Sequence, residues 1–477
     1  MTELVVGPFN RVEGDLEVHL TVSDGRVAEA RVNSPLYRGF ERMLDGKDPR
    51  DALTITPRIC GICSISQSAA AARALAAAQG LTPAPMGEIT AALIHAVENA
   101  ADHLTHFNLF FMPDFARPAY QARAWRGRAV SRFTAMEGSA ARAAVEARAA
   151  LMHILGLLAG KWPHTLAIQP GGVTKTPTQR DLVRIGTSLR AFRRYLEEVL
   201  FGAPVEEFAE LSSPEQLEQW SRGDAGLFAE IAADLGLAGI GAGPGRYLSY
   251  GAYPFPHGEM GFRGGLWHDG VQSPIDPAKI VEDLSHAWML GPAAHPHQGA
   301  TLPDEDMRQG AYSWCKAPRY GGKVVETGAL ARQVTDGHPL ALAFASVGGG
   351  GVLGRVAGRL LELARTQIFM EDCLARIDPR EHFMLRGPIP ANGQGAGLVE
   401  AARGALGHWL TIEKGRIARY QIIAPTTWNF SPRDAGGVPG ALEAALVGAE
   451  VGEGEVTPLT VQHIVRSFDP CMVCTVH

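Results

Sequence analysis

Hydrophobic and polar positions alternate with a period of two at residues 16–22 and again at 27–32, on either side of Ser23-Asp24-Gly25-Arg26. That pattern predicts a β-hairpin near the N-terminus. Helical spacing then takes over. Residues 66–78 are Ala-rich and stop at Gly80, and Pro83 and Pro85 form a connector. Residues 88–111 place Leu93, Val97, Leu104 and Phe107 at helical intervals and end before Pro113. Further helices are predicted at 135–158, 179–200 and 353–377. Several are apolar on more than one face, which marks them as core helices of a bundle. Residues 236–330 are rich in Gly, Pro and aromatic residues with little periodicity, and read as irregular excursions over that bundle. A second hairpin is predicted where 409–413 and 416–423 flank Lys414-Gly415. No repeat, low-complexity tract or flexible linker interrupts the chain. The expected fold is mainly α (α+β), a large helical bundle with peripheral β-hairpins, forming one domain over residues 1–477.

Composition narrows the function classes. The chain has 477 residues, 46% hydrophobic and 20% charged, enough apolar material for a sizeable core. A formal net charge of −6 argues against nucleic-acid binding. No run reaches the ~18 apolar residues of a membrane span. Met1-Thr2-Glu3-Leu4-Val5 lacks the basic region and apolar core of a signal peptide. Six cysteines in a chain of this length do not make a disulfide framework, so a reducing, cytoplasmic compartment is expected. Export on a partner's signal stays open.

Two motifs invite over-reading. Residues 341–347 could form a strand before Gly349-Gly350-Gly351-Val352-Leu353-Gly354, with Glu371 about 20 residues on, as in a dinucleotide site. The surrounding chain lacks the repeated βαβ units such a site needs, so the glycines are better read as permitting tight backbone packing. His103 and His106 share a helix face, and His295 and His297 form a second pair, but no acidic-histidine metal signature surrounds them. Isolated Cys315 and Cys373 read as small buried hydrophobes.

The paired cysteines differ from these. Arg58-Ile59-Cys60-Gly61-Ile62-Cys63 lies near the N-terminus, and Asp469-Pro470-Cys471-Met472-Val473-Cys474 lies three residues from the end. Four thiolates suit a soft metal centre. Structural zinc is the plain alternative, yet zinc ribbons usually separate their pairs by ~15–20 residues. Here nearly the whole chain intervenes, and charged Arg58 and Asp469 flank the pairs.

These two motifs resemble the large subunit of nickel-iron hydrogenases. Arg11-Val12-Glu13-Gly14, Arg38-Gly39-Phe40-Glu41, Gly160-Lys161-Trp162-Pro163-His164, Arg403-Gly404-Ala405-Leu406-Gly407-His408-Trp409 and Pro425-Thr426-Thr427-Trp428-Asn429 match further family blocks in order. The resemblance implies that Cys60 and Cys471 bind nickel terminally. Cys63 and Cys474 would bridge nickel to an iron carrying carbon monoxide and cyanide, a Ni-Fe(CO)(CN)2 centre that splits H2 heterolytically and reversibly. It also implies Cys471 and then Glu13 as proton acceptors, with Arg403, held by Asp102 and Asp469, as an electrostatic guide. Glu41, the Ile423 carbonyl and His477 would hold a Mg2+-type ion. Electrons would leave through a small iron–sulfur subunit, because only Cys315 and Cys373 remain.

Departures from the family pattern refine the expectation. Gln67 stands where many energy-conserving members carry His, and Ile62 and Phe110 replace smaller residues along the gas path. Asp15 and Ala402 replace a common His and Pro, and the sequence stops at His477 without the usual C-terminal extension. Asp15 and Ala402 bear on the hydrogen bonding around Glu13 and Arg403, whereas Gln67, Ile62, Phe110 and the His477 terminus together resemble the oxygen-tolerant, hydrogen-sensing regulatory hydrogenases, which turn over slowly and signal to a histidine kinase. The expectation is therefore a cytoplasmic hydrogen sensor. The alternatives are an energy-conserving uptake enzyme, or a zinc-stapled or quinone-binding relative without catalysis.

Overall fold

A computed structural model describes residues 1–347 and 349–475. Strands β1 (Thr2–Val6), β2 (Glu17–Ser23) and β3 (Arg26–Asn33) form an antiparallel sheet in that order. The β2–β3 turn has positive φ at Asp24 and Gly25, as a tight hairpin demands. The first strand, β1, carries no strong alternation, and its pairing with β2 was not foreseen. The last part of the chain ties onto the same sheet. Val27 N–H donates to the Ala449 carbonyl at 2.9 Å, and Gly448 N–H donates back to Val27 at 2.8 Å.

The predicted helices are all present, with shifted ends. They are α1 (Ser64–Gln79), α2 (Pro85–Thr105), α3 (Ser139–Ala159) and α4 (Gln179–Tyr195). Helices α2 and α4 end earlier than periodicity suggests because each loosens into a π-helical turn, His106–Phe111 and Leu196–Phe201 respectively. Further on lie α5 (Ala329–Asp336), α6 (Pro339–Ser346) and α7 (Gly351–Arg376). Helix α6 occupies the stretch expected as a strand, which removes the dinucleotide reading outright. The glycines between α6 and α7 serve close packing. A Cβ on Gly349 would meet Gly243 backbone at 2.8 Å, and one on Gly351 would meet the Ala238 carbonyl at 2.8 Å.

The second predicted hairpin exists as β5 (Gly404–Glu413) and β6 (Arg416–Ile423), joined by Lys414 and Gly415 at positive φ. A third strand, β4 (Gly393–Ala401), precedes β5 and pairs with it antiparallel. Its Gly-rich sequence hid it, and the reason is steric. Helix α1 lies so close that a Cβ on Gly395 or Gly397 would fall 2.0 Å and 1.9 Å from the Ala74 and Ala70 carbonyls. Helix α8 (Leu459–Phe468) buries Val461, Ile464, Val465 and Phe468 and leads into the second cysteine pair. Helices dominate, and short sheets sit at the edges.

Charged side chains cross-link this core. Arg332 on α5 is fully buried and donates to Glu362 on α7 at 2.7 Å, to Glu400 on β4 at 2.9 Å, and to the Ala401 and Ala402 carbonyls at 2.7 and 2.8 Å. His103 on α2 joins the same Glu362 at 3.0 Å. Removing one partner of such a network strands the others as uncompensated buried charge. Arg332→Met should therefore cost about 3–5 kcal/mol. Chemical denaturation of the purified protein checks this, and a midpoint equal to wild type would show that the network carries no stability.

Candidate metal centre

Each cysteine pair is placed by the end of a helix. Cys60 and Cys63 follow a 3-10 turn, Thr56–Arg58, and Cys63 is the residue on which α1 begins. Cys471 and Cys474 follow α8, from which the chain turns away through Asp469 at φ 58°, a left-handed conformation that Asp tolerates. The two segments meet in the core. All four cysteines are buried and none forms a disulfide. The sulfurs lie within 4.8 Å of one another, with Cys60–Cys471 at 3.5 Å, Cys63–Cys474 at 3.4 Å and Cys471–Cys474 at 3.0 Å.

Backbone pairing and one arginine hold the segments in register. Glu13 pairs with Cys471: its N–H donates to the Pro470 carbonyl at 3.3 Å, and Met472 N–H donates to the Glu13 carbonyl at 2.7 Å. Gly14 permits that approach. It sits at φ +81°, and a Cβ there would lie 2.9 Å from Val473 Cγ1. Arg38, which the sequence did not single out, donates to the Ile59 and Arg58 carbonyls of the first pair and to the Val473 carbonyl of the second. Cys471 N–H donates to Thr426 Oγ1 at 3.1 Å, so the Pro425–Asn429 helix also anchors the cluster.

The electrostatics suit cationic ligands. Hydrogen bonding from Cys471, Cys474 and Cys63 pulls the Cys60 thiol well below its ordinary range, so the cluster readily supplies a thiolate. The same bonding to Cys471, with burial added, pushes Cys63 and Cys474 well up. Four thiolates cannot coexist in a buried space without positive charge. Metal cations fit this donor set, which is soft, preassembled and shielded from water.

Arg403 is the main protein cation beside the sulfurs. Its Nη1 donates to Asp102 at 2.7 Å, its Nη2 to Asp469 at 3.1 Å and its Nε to the Asp469 carbonyl at 3.0 Å. Burial drives Asp102 up to about 7 despite Arg403. Burial also opposes ionisation of Asp469, but Arg403, His106 and Arg359 outweigh it and hold that carboxylate down. Glu13 is half-buried, and burial followed by the nearby Cys60 raises its pKa against Arg403 and Arg38. The residues proposed from sequence for the centre, Glu13, Asp102, Arg403 and Asp469, thus converge on the four cysteines.

Outlying candidates fall differently. Gln67 Oε1 accepts from His408 Nε2 at 2.8 Å, and His408 Nδ1 accepts from the Tyr420 hydroxyl at 2.8 Å, a buried packing network behind the first pair. Ile62 lines a cavity of about 50 Å³ with Glu98, Asp102, Arg148, Met152 and Trp162. Phe110 is half-buried, and its carbonyl accepts from Arg11 at 3.0 Å. Arg11 and Arg466 both bond buried Asp114, tying the Glu13 segment to α8. Glu41 is buried against Lys316 Nζ at 3.1 Å and accepts from Ile422 N–H at 2.7 Å. Ile423 is buried next to it in sequence, and His477 lies outside the described residues. Of the histidines and cysteines set aside from sequence, His103, His106, Cys315 and Cys373 are buried, the cysteines as expected, and His295 and His297 are partly exposed.

Four buried cysteines drawn from opposite ends of a helix-dominated chain define a metal-binding protein with a soft, sulfur-rich site. The chain belongs to the nickel-dependent hydrogenase family, whose model matches residues 38–129 and 142–477. It is 28% identical to the periplasmic nickel–iron–selenium hydrogenase large subunit of Desulfomicrobium baculatum, over 100% of this chain and 95% of that protein. It is 27% identical to the quinone-reactive nickel–iron hydrogenase large chain of Wolinella succinogenes, over 99% and 95%. The solved reduced nickel–iron–selenium hydrogenase of D. vulgaris Hildenborough superposes with a TM-score of 0.86 at 29% identity, over 100% of both chains. The protein is accordingly an enzyme of the nickel–iron hydrogenase type, with a nickel–iron-type centre at its four cysteines.

These relatives correct the finer expectation. They are named as periplasmic and quinone-reactive enzymes, which overturns the reading of the chain as a regulatory hydrogen sensor and as cytoplasmic. The histidine-kinase partner falls with the sensor. Gln67 and Ile62 belong to packing and to a cavity wall, and neither reports the physiological output of the enzyme. Arg38, Glu98 and Arg332 were missed. Arg38 stood in a matched block, whereas Glu98 and Arg332 look in sequence like ordinary solvated charges.

Proposed function

We propose that this chain is the catalytic large subunit of an energy-conserving hydrogenase that oxidises and produces H2, as one domain over residues 1–477. The observation that carries the reading is the convergence of Cys60, Cys63, Cys471 and Cys474. These four sulfurs would hold nickel, and Cys63 and Cys474 would also hold an iron bearing carbon monoxide and cyanide. When bound, that centre supplies the Lewis acidity and redox capacity that make dihydrogen acidic enough to split.

The protein's own groups then move the proton. Cys471 Sγ is the first base, and Glu13, pinned to the Cys471 segment by two backbone hydrogen bonds, is the next acceptor. Burial and the nearby Cys60 raise its pKa, which makes its carboxyl a better proton acceptor than an ordinary carboxylate. Arg403 remains protonated between Asp102 and Asp469, and its fixed charge lowers the energy of thiolate at Cys471 and Cys60. Electrons leave to a smaller iron–sulfur subunit. Of six cysteines four are in the centre, and the remaining Cys315 and Cys373 cannot ligate a four-cysteine cluster. A Mg2+-type ion would be held by Glu41, the Ile423 carbonyl and His477, beside the buried Lys316 that bonds Glu41, Glu282 and Gln421. Elemental analysis for magnesium tests that ion.

The holoenzyme incubated under D2 should form HD in solution, followed by mass spectrometry. Protein loaded with nickel and iron that forms none would refute the proposal. Glu13→Gln should cut H2 oxidation and HD release by roughly 10²–10⁴-fold with metal content intact. Unchanged exchange would remove Glu13 from the proton path. Ile62 and Phe110 are proposed to narrow gas access, so Ile62→Val with Phe110→Leu should speed inactivation under air, and an equal rate would end that idea.

A further inference from the structure

Helix α1 begins immediately after a metal ligand, and that creates a capping problem. The residue at its N-cap is Cys63, which makes no side-chain cap hydrogen bond. Its sulfur faces Cys474 Sγ at 3.4 Å and leaves the first free amides of the helix uncapped. Those amides nevertheless need partners, because burial removes water as a substitute.

The partner comes from another helix. Glu98, on α2 and 2% exposed, accepts from Ile65 N–H at 2.8 Å through one carboxylate oxygen. Its other oxygen accepts from Ser66 N–H at 2.9 Å and Ser66 Oγ–H at 3.0 Å. Ile65 and Ser66 are the second and third residues of α1, the positions an ordinary N-cap side chain serves. A fourth donor, Trp162 Nε1, reaches Glu98 at 2.9 Å. Among the described residues no arginine, lysine or histidine forms an ion pair with Glu98. The carboxylate is held by four neutral donors and by the positive end of the helix.

Its place in the fold links this cap to the chemistry. Glu98 lies one helical turn before Asp102, the partner of Arg403, so α2 presents both carboxylates on one face. Both line the small cavity with Ile62 and Trp162. The Trp162 segment adds a second tie, since His164 N–H donates to Ser64 Oγ at 3.3 Å.

We propose that Glu98 is a positioning residue: it caps α1 from outside the helix and thereby holds Cys63 against Cys474 for metal binding. The proposal rests on the four cysteines being the metal ligands. Among the described residues Glu98 forms its hydrogen bonds to Ile65, Ser66 and Trp162, and its role is to hold the turn that carries one of the sulfurs.

The test uses the holoenzyme with three substitutions. Glu98→Ala should raise hydrogen exchange at the Ile65 and Ser66 amides by about tenfold, and hasten nickel loss to a chelator by a similar factor. Glu98→Gln, which keeps one acceptor oxygen, should fall between Ala and wild type in both readouts. Asp224→Ala breaks a buried ion pair with Arg132 on a helix that gives no ligand to the centre, and controls for general destabilisation. It should leave both local readouts unchanged. Unchanged exchange at residues 65 and 66 in Glu98→Ala would overturn the proposal, as would equal nickel loss in the Asp224 and Glu98 variants. Faster exchange in a protein whose wild type holds zinc and no nickel would support the cap while refuting the hydrogenase reading of the centre.

Discussion

Four thiolates crowded into a water-free space repel one another, and the rest of the structure is arranged around making that crowding tolerable. The sulfurs come from segments far apart in the chain, 411 positions in each facing pair. The entropy of closing so long a loop rises only slowly with length. What the scaffold must supply is accuracy, together with positive charge. Arg38 and Arg403 provide both, one bonding carbonyls of both cysteine segments and the other facing the sulfurs between two carboxylates. Bound metal would add cohesion to the same point, because ligands gathered by folding make metal binding part of folding free energy.

A single buried helix organises much of this. Helix α2 is polar along one face where a core helix is usually apolar. Glu98 caps α1, Asp102 holds Arg403, His103 meets Glu362, and His106, in the π-helical turn that follows, donates from Nε2 to the Arg466 carbonyl. The four-residue spacing of 98, 102 and 106 puts these groups in a row beside the centre. Arg332 sits behind them and bonds the carbonyls of Ala401 and Ala402, the two residues that lead into Arg403. Shifts in that buried salt network would therefore reach the guanidinium beside the sulfurs.

Much of this was legible beforehand, for identifiable reasons. The cysteine pairs are chemically unambiguous, and long helices with sustained apolar spacing announce themselves. The residues that escaped notice work through long-range contacts that no local pattern encodes. Glu98 on an apolar helix reads as surface until Ile65, Ser66 and Trp162 are seen around it. Strand β4 was lost because Gly395 and Gly397 exist to admit α1, and glycine dilutes strand character. The stretch 341–347 misled in the opposite direction, since a short apolar run is compatible with helix or strand. The inferred sensor role failed for a different reason. It was built on Gln67, Ile62, Phe110 and the His477 terminus; Gln67 lies in a packing network and Ile62 in a cavity wall, while physiological role depends on partners and location.

The central claim is that the four converging cysteines hold nickel and iron together. Metal analysis of the purified chain in complex with its small subunit, combined with infrared spectroscopy in the region of iron-bound carbon monoxide and cyanide, tests it most directly. The account predicts one nickel per large subunit, iron in excess of nickel because the small subunit's clusters add to it, the diatomic-ligand bands present, and loss of nickel in Cys471→Ser. A protein containing zinc alone, with no such bands, would contradict it.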